Sequence, residues 1–454
     1  MRAFALLMID TDEIQQRTLV LHPRPSTMPQ YVADYAVEEA RGLAAALQAH
    51  VVDALVVPLR EIRASEFFGK GKVEEIRVQV KADKIDFVIV NSAISPIQQR
   101  NLEKVWNCKV IDRTGLILEI FGLRAATKEG RLQVELARQA YERSRLVRTW
   151  THLERQRGGA GAMSGPGETQ IESDRRQVME RMLKLEKELE SVRRTRGLQR
   201  QKRQRAPEKV VALVGYTNAG KSSVFNILTE GGVLAKDMLF ATLDTTHRIM
   251  PLPSGKPAVL SDTVGFISDL PTDLIKAFRA TLEEVKEADL LVHVRDIADP
   301  LSEARAKDVM DVLAQIEAGP EHGQALIEMW NKSDLLSEDD QIQLKERAAA
   351  SQQFDAQTSA YLASCLSGDG VQQVLKGIET ALSKGDEVLN VKIGPSDYSV
   401  RAWLHSNGDV RSEDNKKNGD CVMEVALSEA DAGKFRARNA RLIIGYVPPV
   451  KTDW

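Results

Sequence analysis

The sequence predicts a multidomain α/β protein: an N-terminal α/β domain, a long α-helical hairpin, a second α/β domain with a mostly parallel sheet, and a small α+β C-terminal domain. Three observations carry this. Strand-like and helix-like segments alternate from residue 1 to about 122. A heptad seam runs through the 170s and 180s. A glycine-rich loop at 215–222 lies between an apolar β-branched run and a helix start. At 454 residues the chain is too long for one ordinary core.

In the first domain (1–122), Phe4–Ile9, Val51–Val57, Phe87–Val90 and Lys109–Ile111 read as strands. Asp34–Ala49, Lys72–Lys81, Pro96–Trp106 and Gly115–Phe121 read as helices. That alternation argues a parallel sheet with crossover helices. Residues 123–205 change character. Ile171, Val178, Met182, Leu185, Leu189 and Val192 recur at spacings of seven, four, three, four and three, a coiled-coil-like seam. Leu132–Leu153 supplies a looser partner, and an antiparallel hairpin follows, with Gly158–Gly167 at its tip. Small residues there allow close approach to a crowded surface, which suits insertion into a narrow cavity of a partner. Pro207 marks entry to the third domain, 206–383. From 384 to 454, Val388–Ile393, Tyr398–Leu404, Val422–Ala426 and Leu442–Tyr446 read as short strands of a small α+β domain.

Composition excludes several classes. With 43% apolar and 28% charged residues the chain is an ordinary globular one. Cys108, Cys365 and Cys421 lie far apart with no metal-ligand spacing, which fits buried thiols in a reducing compartment. The N-terminal apolar run is too short for a signal peptide, and no run approaches the ~18 residues of a membrane span. A cytoplasmic, monomeric protein is expected. Charge is uneven. Residues 124–205 hold 21 basic and 11 acidic side chains in a chain of net charge −3. Residues 191–205, with Arg193, Arg194, Arg196 and Arg200, hold no acid at all. A solvated helix face explains the mixed charges of 180–190. Phosphate contact better explains 191–205. Nothing in the hairpin resembles a base-edge reader of duplex DNA, so RNA is the expected partner and DNA is not.

The glycine-rich loop reads G-Y-T-N-A-G-K-S, Gly215–Ser222. It follows strand-like Val210–Val214 and opens a helix, the context in which the pattern cradles phosphate. Gly215 and Gly220 let the backbone curl so that successive amides, from Tyr216, Thr217, Asn218 and Ala219 through Ser223, face one anion. Lys221 reaches the β- and γ-phosphates, Ser222 offers a hydroxyl to Mg2+, and the helix N-terminus adds its positive end. In D-T-V-G-F, Asp262 can support the Mg2+ shell and Gly265 can bond a γ-phosphate. In N-K-S-D, Asn331 and Lys332 precede Asp334, whose carboxylate can accept from both N1–H and N2–H of guanine; adenine has no donor at position 1. In this order the motifs resemble the Ras-like GTPase superfamily, which favours GTP and GDP over adenine nucleotides.

The chain further resembles HflX, a bacterial GTPase family, over nearly all of residues 67–370. The specific strings are F-F-G-K-G-K-V-E-E-I (67–76), S-P-I-Q-Q-R-N-L-E (95–103), V-I-D-R-T-G-L-I-L-E-I-F (110–121), the G-P-G-E-T-Q-I-E-S-D-R-R end of 155–176, and D-T-V-G-F-I-S-D-L-P-T-D-L (262–274). The resemblance implies a factor that binds the large ribosomal subunit and its rRNA and splits stalled or idle ribosomes, notably under heat stress. It implies that the hairpin tip approaches the peptidyl-transferase centre, and it leaves room for a secondary ATPase activity, which some family members have, attributed partly to the N-terminal region. Gly69-Lys70-Gly71-Lys72 is too short to be a second phosphate loop. The sequence departs from the family in four places. The stretch 240–248 reads F-A-T-L-D-T-T-H-R, with Thr245 in place of a proline and His247 in place of a threonine. Thr242 is the candidate sensor of γ-phosphate and Mg2+, with Thr245 and Thr246 as rivals. The tip is a residue longer and lacks an arginine. In the base-contact loop, Ser364 is followed by Cys365, where alanine is common. Position 333 is a serine, which the N-K-x-D pattern allows.

The mechanism read from these residues is Mg2+-dependent GTP hydrolysis, with Lys221, Thr242 and Gly265 as the catalytic set and Ser222, Thr242 and Asp262 at the metal. Phe266 stands where a Ras-like enzyme places a water-orienting glutamine, so free hydrolysis is expected to be slow until a partner completes the site. The competing readings are a ribosome assembly or storage factor that uses GTP as a clamp, and an ATP-driven RNA remodelling enzyme.

Overall fold

A computed structural model describes residues 16–156, 166–203, 209–229, 240, 245–268, 279–354, 359–383, 386–416 and 419–447. The expected strand Phe4–Ile9 lies outside them. The N-terminal unit runs β1 (Arg17–Pro25), α1 (Gln30–Ala46), β2 (His50–Leu59), α2 (Lys70–Ala82), β3 (Phe87–Val90), α3 (Pro96–Trp106), β4 (Lys109–Asp112) and α4 (Arg113–Arg124). Its sheet order is β2-β1-β3-β4, and every pairing is parallel. The sequence reading missed β1, which is central. Leu19, Val20 and Leu21 are fully buried, the continuous apolar run of a strand covered on both faces. Helix α3 starts where it does because of a capping box. Ser95 Oγ accepts from Gln98 N, and the Gln98 side chain accepts from Ser95 N. The 69–72 stretch is the start of α2, with Lys72 paired to Glu75 at 2.7 Å.

Helices α5 (Lys128–Gln156) and α6 (Pro166–Arg203) form the hairpin. Along α6, Met182 and Leu189 are buried and Val178, Leu185 and Val192 half-buried, while Met179 and Leu183 are exposed. That is the heptad seam expected from the sequence; the Ile171 side chain lies outside the described residues. Helix α5 is tied to the N-terminal unit by Asp112, the N-cap of α4, which accepts from Tyr141 Oη at 2.7 Å and Arg145 Nη1 at 3.2 Å. Of the expected tip Gly158–Gly167, residues 158–165 lie outside the described residues, while Pro166 and Gly167 already belong to α6.

The third unit runs β5 (Val210–Val214), α7 (Lys221–Leu228), β6 (Thr246–Pro251), β7 (Pro257–Asp262), α8 (Arg279–Lys286), β8 (Leu290–Asp296), α9 (Ser302–Gln315), β9 (Ala325–Asn331), α10 (Glu338–Phe354), β10 (Ala360–Leu362) and α11 (Val371–Leu382). The sheet order is β10-β9-β8-β5-β7-β6, and all pairs are parallel except β6 with β7. β5 lies mid-sheet, so its carboxyl end opens into the crevice where such sheets bind ligands. This unit and the N-terminal one share a core. Leu116, Ile117, Ile120 and Phe121 of α4 cluster with Val264, Phe266 and Ile267, and Phe121 meets Phe240 edge-to-face at 4.7 Å.

The C-terminal unit comprises β11 (Glu387–Ile393), α12 (Tyr398–Asn407), β12 (Asp409–Asn415), β13 (Cys421–Leu427), α13 (Glu429–Asn439) and β14 (Ile443–Val447), in an antiparallel sheet of order β12-β13-β11-β14. The expected strand Tyr398–Leu404 is instead a helix. Val400, Trp403 and Leu404 sit at helical spacing and pack on the sheet, with Trp403 stacked on Phe435 at 5.7 Å. Strand β12 escaped the sequence reading because D-V-R-S-E-D-N has almost no apolar alternation. It is an edge strand, where polar residues are tolerated.

The hairpin seam yields a local prediction. Leu189→Ala removes a buried side chain from a two-helix contact, and should destabilise α6 locally by about 2 kcal/mol or more. Faster amide exchange confined to α5 and α6 checks this. Unchanged exchange would mean that the seam does not hold the hairpin.

Candidate functional site

Buried strand β5 delivers the chain to Gly215, whose φ of 152° brings the backbone against β8; a Cβ there would lie 2.3 Å from Val294 O. Gly220, with φ 97°, leaves equally little room: a Cβ would lie 2.3 Å from Asn331 Nδ2. Between them Tyr216, Thr217, Asn218 and Ala219 make the turn, and Asn218 takes a left-handed φ of 61° that asparagine tolerates. Lys221, Ser222 and Ser223 form the first turn of α7. This geometry aims backbone amides and a helix N-terminus at one place.

Lys221 is 7% exposed. Its Nζ donates to Gly215 O at 3.0 Å and Tyr216 O at 2.8 Å. Burial pushes its ammonium down to about 8, and the Asp262 charge opposes that shift. Ser222 Oγ donates to Asp262 Oδ2 at 3.0 Å, so a hydroxyl and a carboxylate, the donors a hard cation prefers, stand side by side. Thr263 Oγ1 donates to Leu213 O at 2.6 Å and fixes the strand end that carries Asp262. A Cβ on Gly265 would come within 2.9 Å of Thr217 Cγ2 and 3.0 Å of Lys221 Nζ, so a glycine there keeps the cradle open. Among the described residues, Thr217 Oγ1 is buried and meets no hydrogen-bond partner. The cradle, the buried ammonium, this hydroxyl and the Ser222–Asp262 pair fit a nucleotide polyphosphate with its divalent cation.

Phe266 faces away from the cradle. It is 2% exposed, packed in the core shared with the N-terminal unit. Its backbone pairs with the loop: Thr217 N donates to Phe266 O at 2.7 Å, and Phe266 N donates to Gly215 O at 3.1 Å. Thr242 and residues 241–244 lie outside the described residues, as do 269–278. Thr245 precedes β6 and Thr246 opens it, while His247 Nε2 stands 3.2 Å from Glu284 Oε2 on α8.

The N-K-S-D segment starts on Asn331, the last residue of β9, and approaches the same crevice. Asp334 is exposed, and its Oδ1 accepts from Ser364 Oγ. Ser364 Oγ also accepts from Leu366 N and Ser367 N, which orders the 364–367 turn. Burial, then the Asp334 charge, pushes the Cys365 thiol up to about 12, so it is a neutral thiol. Two contacts escaped the sequence reading. Asn331 bridges loops, with Nδ2 donating to Ala219 O at 2.9 Å and Oδ1 accepting from Cys365 N at 3.1 Å. Lys332 pairs with Asp296 at the end of β8, at 2.7 Å. Neither has a local signal, because both partners are distant in sequence.

Four family models match the chain in order. They are "GTP-binding GTPase N-terminal" over 34–122, "GTP-binding GTPase Middle Region" over 124–203, "50S ribosome-binding GTPase" over 210–332, and "HflX C-terminal domain" over 344–454. GTPase HflX of Magnetococcus marinus is 45% identical over 436 residues, covering 96% of this chain and 98% of that protein. GTPase HflX of Escherichia coli is 41% identical over 379 residues, covering 83% and 86%. Among solved structures, a GTP-binding protein from Sulfolobus solfataricus in complex with GDP is similar over 82% of this chain and 99% of its own, at 22% identity and a TM-score of 0.45.

Two predictions follow from the geometry. Asp334→Asn replaces an acceptor with a donor, so GTP binding should weaken by about 1.5–3 kcal/mol while xanthosine triphosphate gains. Equilibrium binding of both nucleotides checks it, and unchanged GTP affinity in a folded variant would contradict the base assignment. The second concerns Lys221. Phosphate charge favours its ammonium, so its pKa is higher in the complex than the value of about 8 in the ligand-free site. Binding above pH 8 must then take up a proton, approaching ~1 near pH 9, and affinity must fall as pH rises there. Calorimetry in buffers of different ionisation enthalpy reads that proton directly. Zero uptake at pH 8.5–9 would contradict a low pKa in the ligand-free site.

Proposed function

The chain belongs to the HflX family of GTPases, and from that premise we propose that it hydrolyses GTP on the large ribosomal subunit and thereby splits or rescues stalled and idle ribosomes. The observation that carries the dependence on a partner is Phe266. At the position after D-x-x-G its side chain is a buried phenyl group, which offers no hydrogen bond to an attacking water. A surface of the large subunit is the partner that supports completion of the site, in keeping with the match of residues 210–332 to a 50S ribosome-binding GTPase.

In this reading Asp334 selects guanine. Asn331 braces the base loop on the phosphate loop, and the loop amides and Lys221 hold the phosphates. Lys221 stabilises charge that develops on the β–γ bridge, in a buried site where such charge is poorly solvated by water. Ser222 and Asp262 are the residues that would hold Mg2+, with Thr242 as the candidate sensor of the γ-phosphate and the metal. Mg2+ when bound supplies neutralisation of the phosphate oxygens. Gly265 leaves room for the terminal phosphate and donates its amide. The hairpin acts as an arm: its basic end, where Arg194 is exposed, meets rRNA phosphates, and its tip reaches into the subunit.

Binding to purified large subunits should weaken steeply with salt. Neutralising Arg193, Arg194, Arg196 and Arg200 should flatten the log–log dependence by up to about one unit per lost contact while GTP binding survives. Replacing residues 159–165 with a short turn should leave subunit binding intact and abolish splitting of 70S particles. A charge variant that binds normally at every salt concentration would reduce the basic run to a solvated face. A shortened tip that still splits would move the work to the hairpin body.

A further inference from the structure

Two strings that neither the nucleotide site nor the basic run uses, S-P-I-Q-Q-R and V-I-D-R-T-G, meet on one face of α5. Asp112 is the last residue of β4, and its side chain is 3% exposed. Its Oδ1 accepts from Gly115 N at 2.8 Å and from Tyr141 Oη at 2.7 Å, and its Oδ2 accepts from Arg145 Nη1 at 3.2 Å. Tyr141 and Arg145 stand one helical turn apart on α5, so both reach the same carboxylate. Arg145 Nη1 also donates to Tyr141 Oη at 2.7 Å and to Ile94 O at 3.3 Å, and its Nη2 donates to Gln99 Oε1. Gln99 in turn donates through Nε2 to Val110 O at 2.7 Å. A Cβ on Gly115 would lie 3.1 Å from Asp112 Oδ1 and 3.5 Å from Tyr141 Oη, so a glycine there leaves room for the tyrosine. Burial, then the Asp112 charge, pushes the Tyr141 phenol far up, so it remains a donor.

The fork of Arg145 therefore ties α5 to three elements: the β3–α3 loop, α3 and the β4–α4 corner. A planar guanidinium with several acceptors fixes direction in a way a point charge does not. The level of this grip along the hairpin matters. Arg143 Nη1 meets Met179 Sδ at 3.4 Å across the seam, and buried Met182 and Leu189 lie farther along α6, away from the tip. Residues 146–156 of α5 and 166–175 of α6 lie on the tip side of the grip. Eleven helical residues of α5 span about 16 Å, so a tilt of about 10° at the grip carries their far end by about 3 Å. A tip that has to enter a narrow cavity tolerates little of that.

We infer that Tyr141 and Arg145 are positioning residues for the arm, fixing its direction through Asp112 so that the tip meets its site on the large subunit. The grip lies outside the phosphate loop, the base loop and the basic run 191–205. Its loss should therefore change splitting, and neither GTP affinity nor attachment to the subunit. The inference rests on the proposed splitting of ribosomes, and the test separates the two claims.

The test compares Tyr141→Phe, Arg145→Met, Arg145→Lys and the double variant Tyr141→Phe/Arg145→Met in the full chain. Spin labels at the exposed positions 104 on α3 and 175 on α6 read the direction of the arm as a distance distribution, by pulsed electron resonance. Purified ribosomes read splitting of 70S particles and binding to large subunits, and nucleotide titration reads GTP affinity. Arg145→Met should broaden the distance distribution at least about twofold and slow splitting by about tenfold or more. Subunit binding and GTP affinity should stay within about threefold, as for distant independent sites. Arg145→Lys should keep part of the splitting rate, since a lysine meets fewer of the four acceptors. The double variant should fall short of the product of the single effects, because both residues act on one carboxylate. A distribution in Arg145→Met as narrow as that of the wild type overturns the inference. So does a broadened distribution with splitting at the wild-type rate, or a loss of subunit binding in step with splitting, which would make the grip serve attachment and not aim. If Arg145→Met does not fold, Arg145→Lys and Tyr141→Phe carry the same readouts. If the wild-type chain splits no ribosomes, the functional reading fails by itself, and the distance distributions still decide whether the grip directs the arm.

Discussion

Two backbone hydrogen bonds join the phosphate loop to the segment after β7, one from Thr217 N to Phe266 O and one from Phe266 N to Gly215 O. Much of the site depends on them. They hold Gly265 beside Thr217 and Lys221, at a separation that only a glycine fits without displacement. They also turn Phe266 into the core, where its burial gains roughly 1.5–3 kcal/mol and commits the backbone to that direction. The same two bonds that shape the cradle thus withhold a water-orienting side chain from it. A Ras-like site with a polar residue in this place could supply that contact itself. In the function proposed above, that contact is supplied by a partner.

The N-terminal unit is not a passenger on this arrangement. Phe266 and Ile267 share a hydrophobic cluster with Leu116, Ile117 and Phe121 of α4, and Arg113, paired with Glu39, donates to the carbonyl of Ser268 just after them. Packed cores repack between discrete arrangements more readily than they deform continuously. A change in the segment after β7 is therefore expected to be felt in α1 and α4, and through Asp112, Tyr141 and Arg145 at the root of the hairpin. This gives a physical route from the phosphate loop to the arm, through contacts named residue by residue.

The sequence disclosed best what local chemistry determines. The limits of β5 coincide with the expected Val210–Val214, and α3 runs from Pro96 to Trp106 as its capping signal requires. Met182 and Leu189 are buried at the heptad positions that predicted them. What stayed hidden depends on tertiary context. Tyr398–Leu404 carries β-branched and aromatic residues that suit a strand, yet Val400, Trp403 and Leu404 pack as a helix face. β12 is nearly all polar because it is an edge. The motifs brought Lys221, Ser222 and Asp262 into one crevice in the sequence reading, and in the structure Ser222 and Asp262 share a hydrogen bond. The bridging role of Asn331 and the reach of Arg113 to Ser268 had no local signature, since their partners lie 112 and 155 residues away.

The central claim is a guanine-nucleotide site complete for binding and incomplete for hydrolysis. Its most direct test is single-turnover GTP hydrolysis by the full-length chain with and without purified large ribosomal subunits. The account predicts slow turnover by the free chain and stimulation by large subunits of at least about 10²-fold, a floor set below the roughly 10³- to 10⁵-fold that completion of a GTPase site in trans provides. Equal rates with and without subunits, under conditions where binding to them is demonstrated, would contradict it.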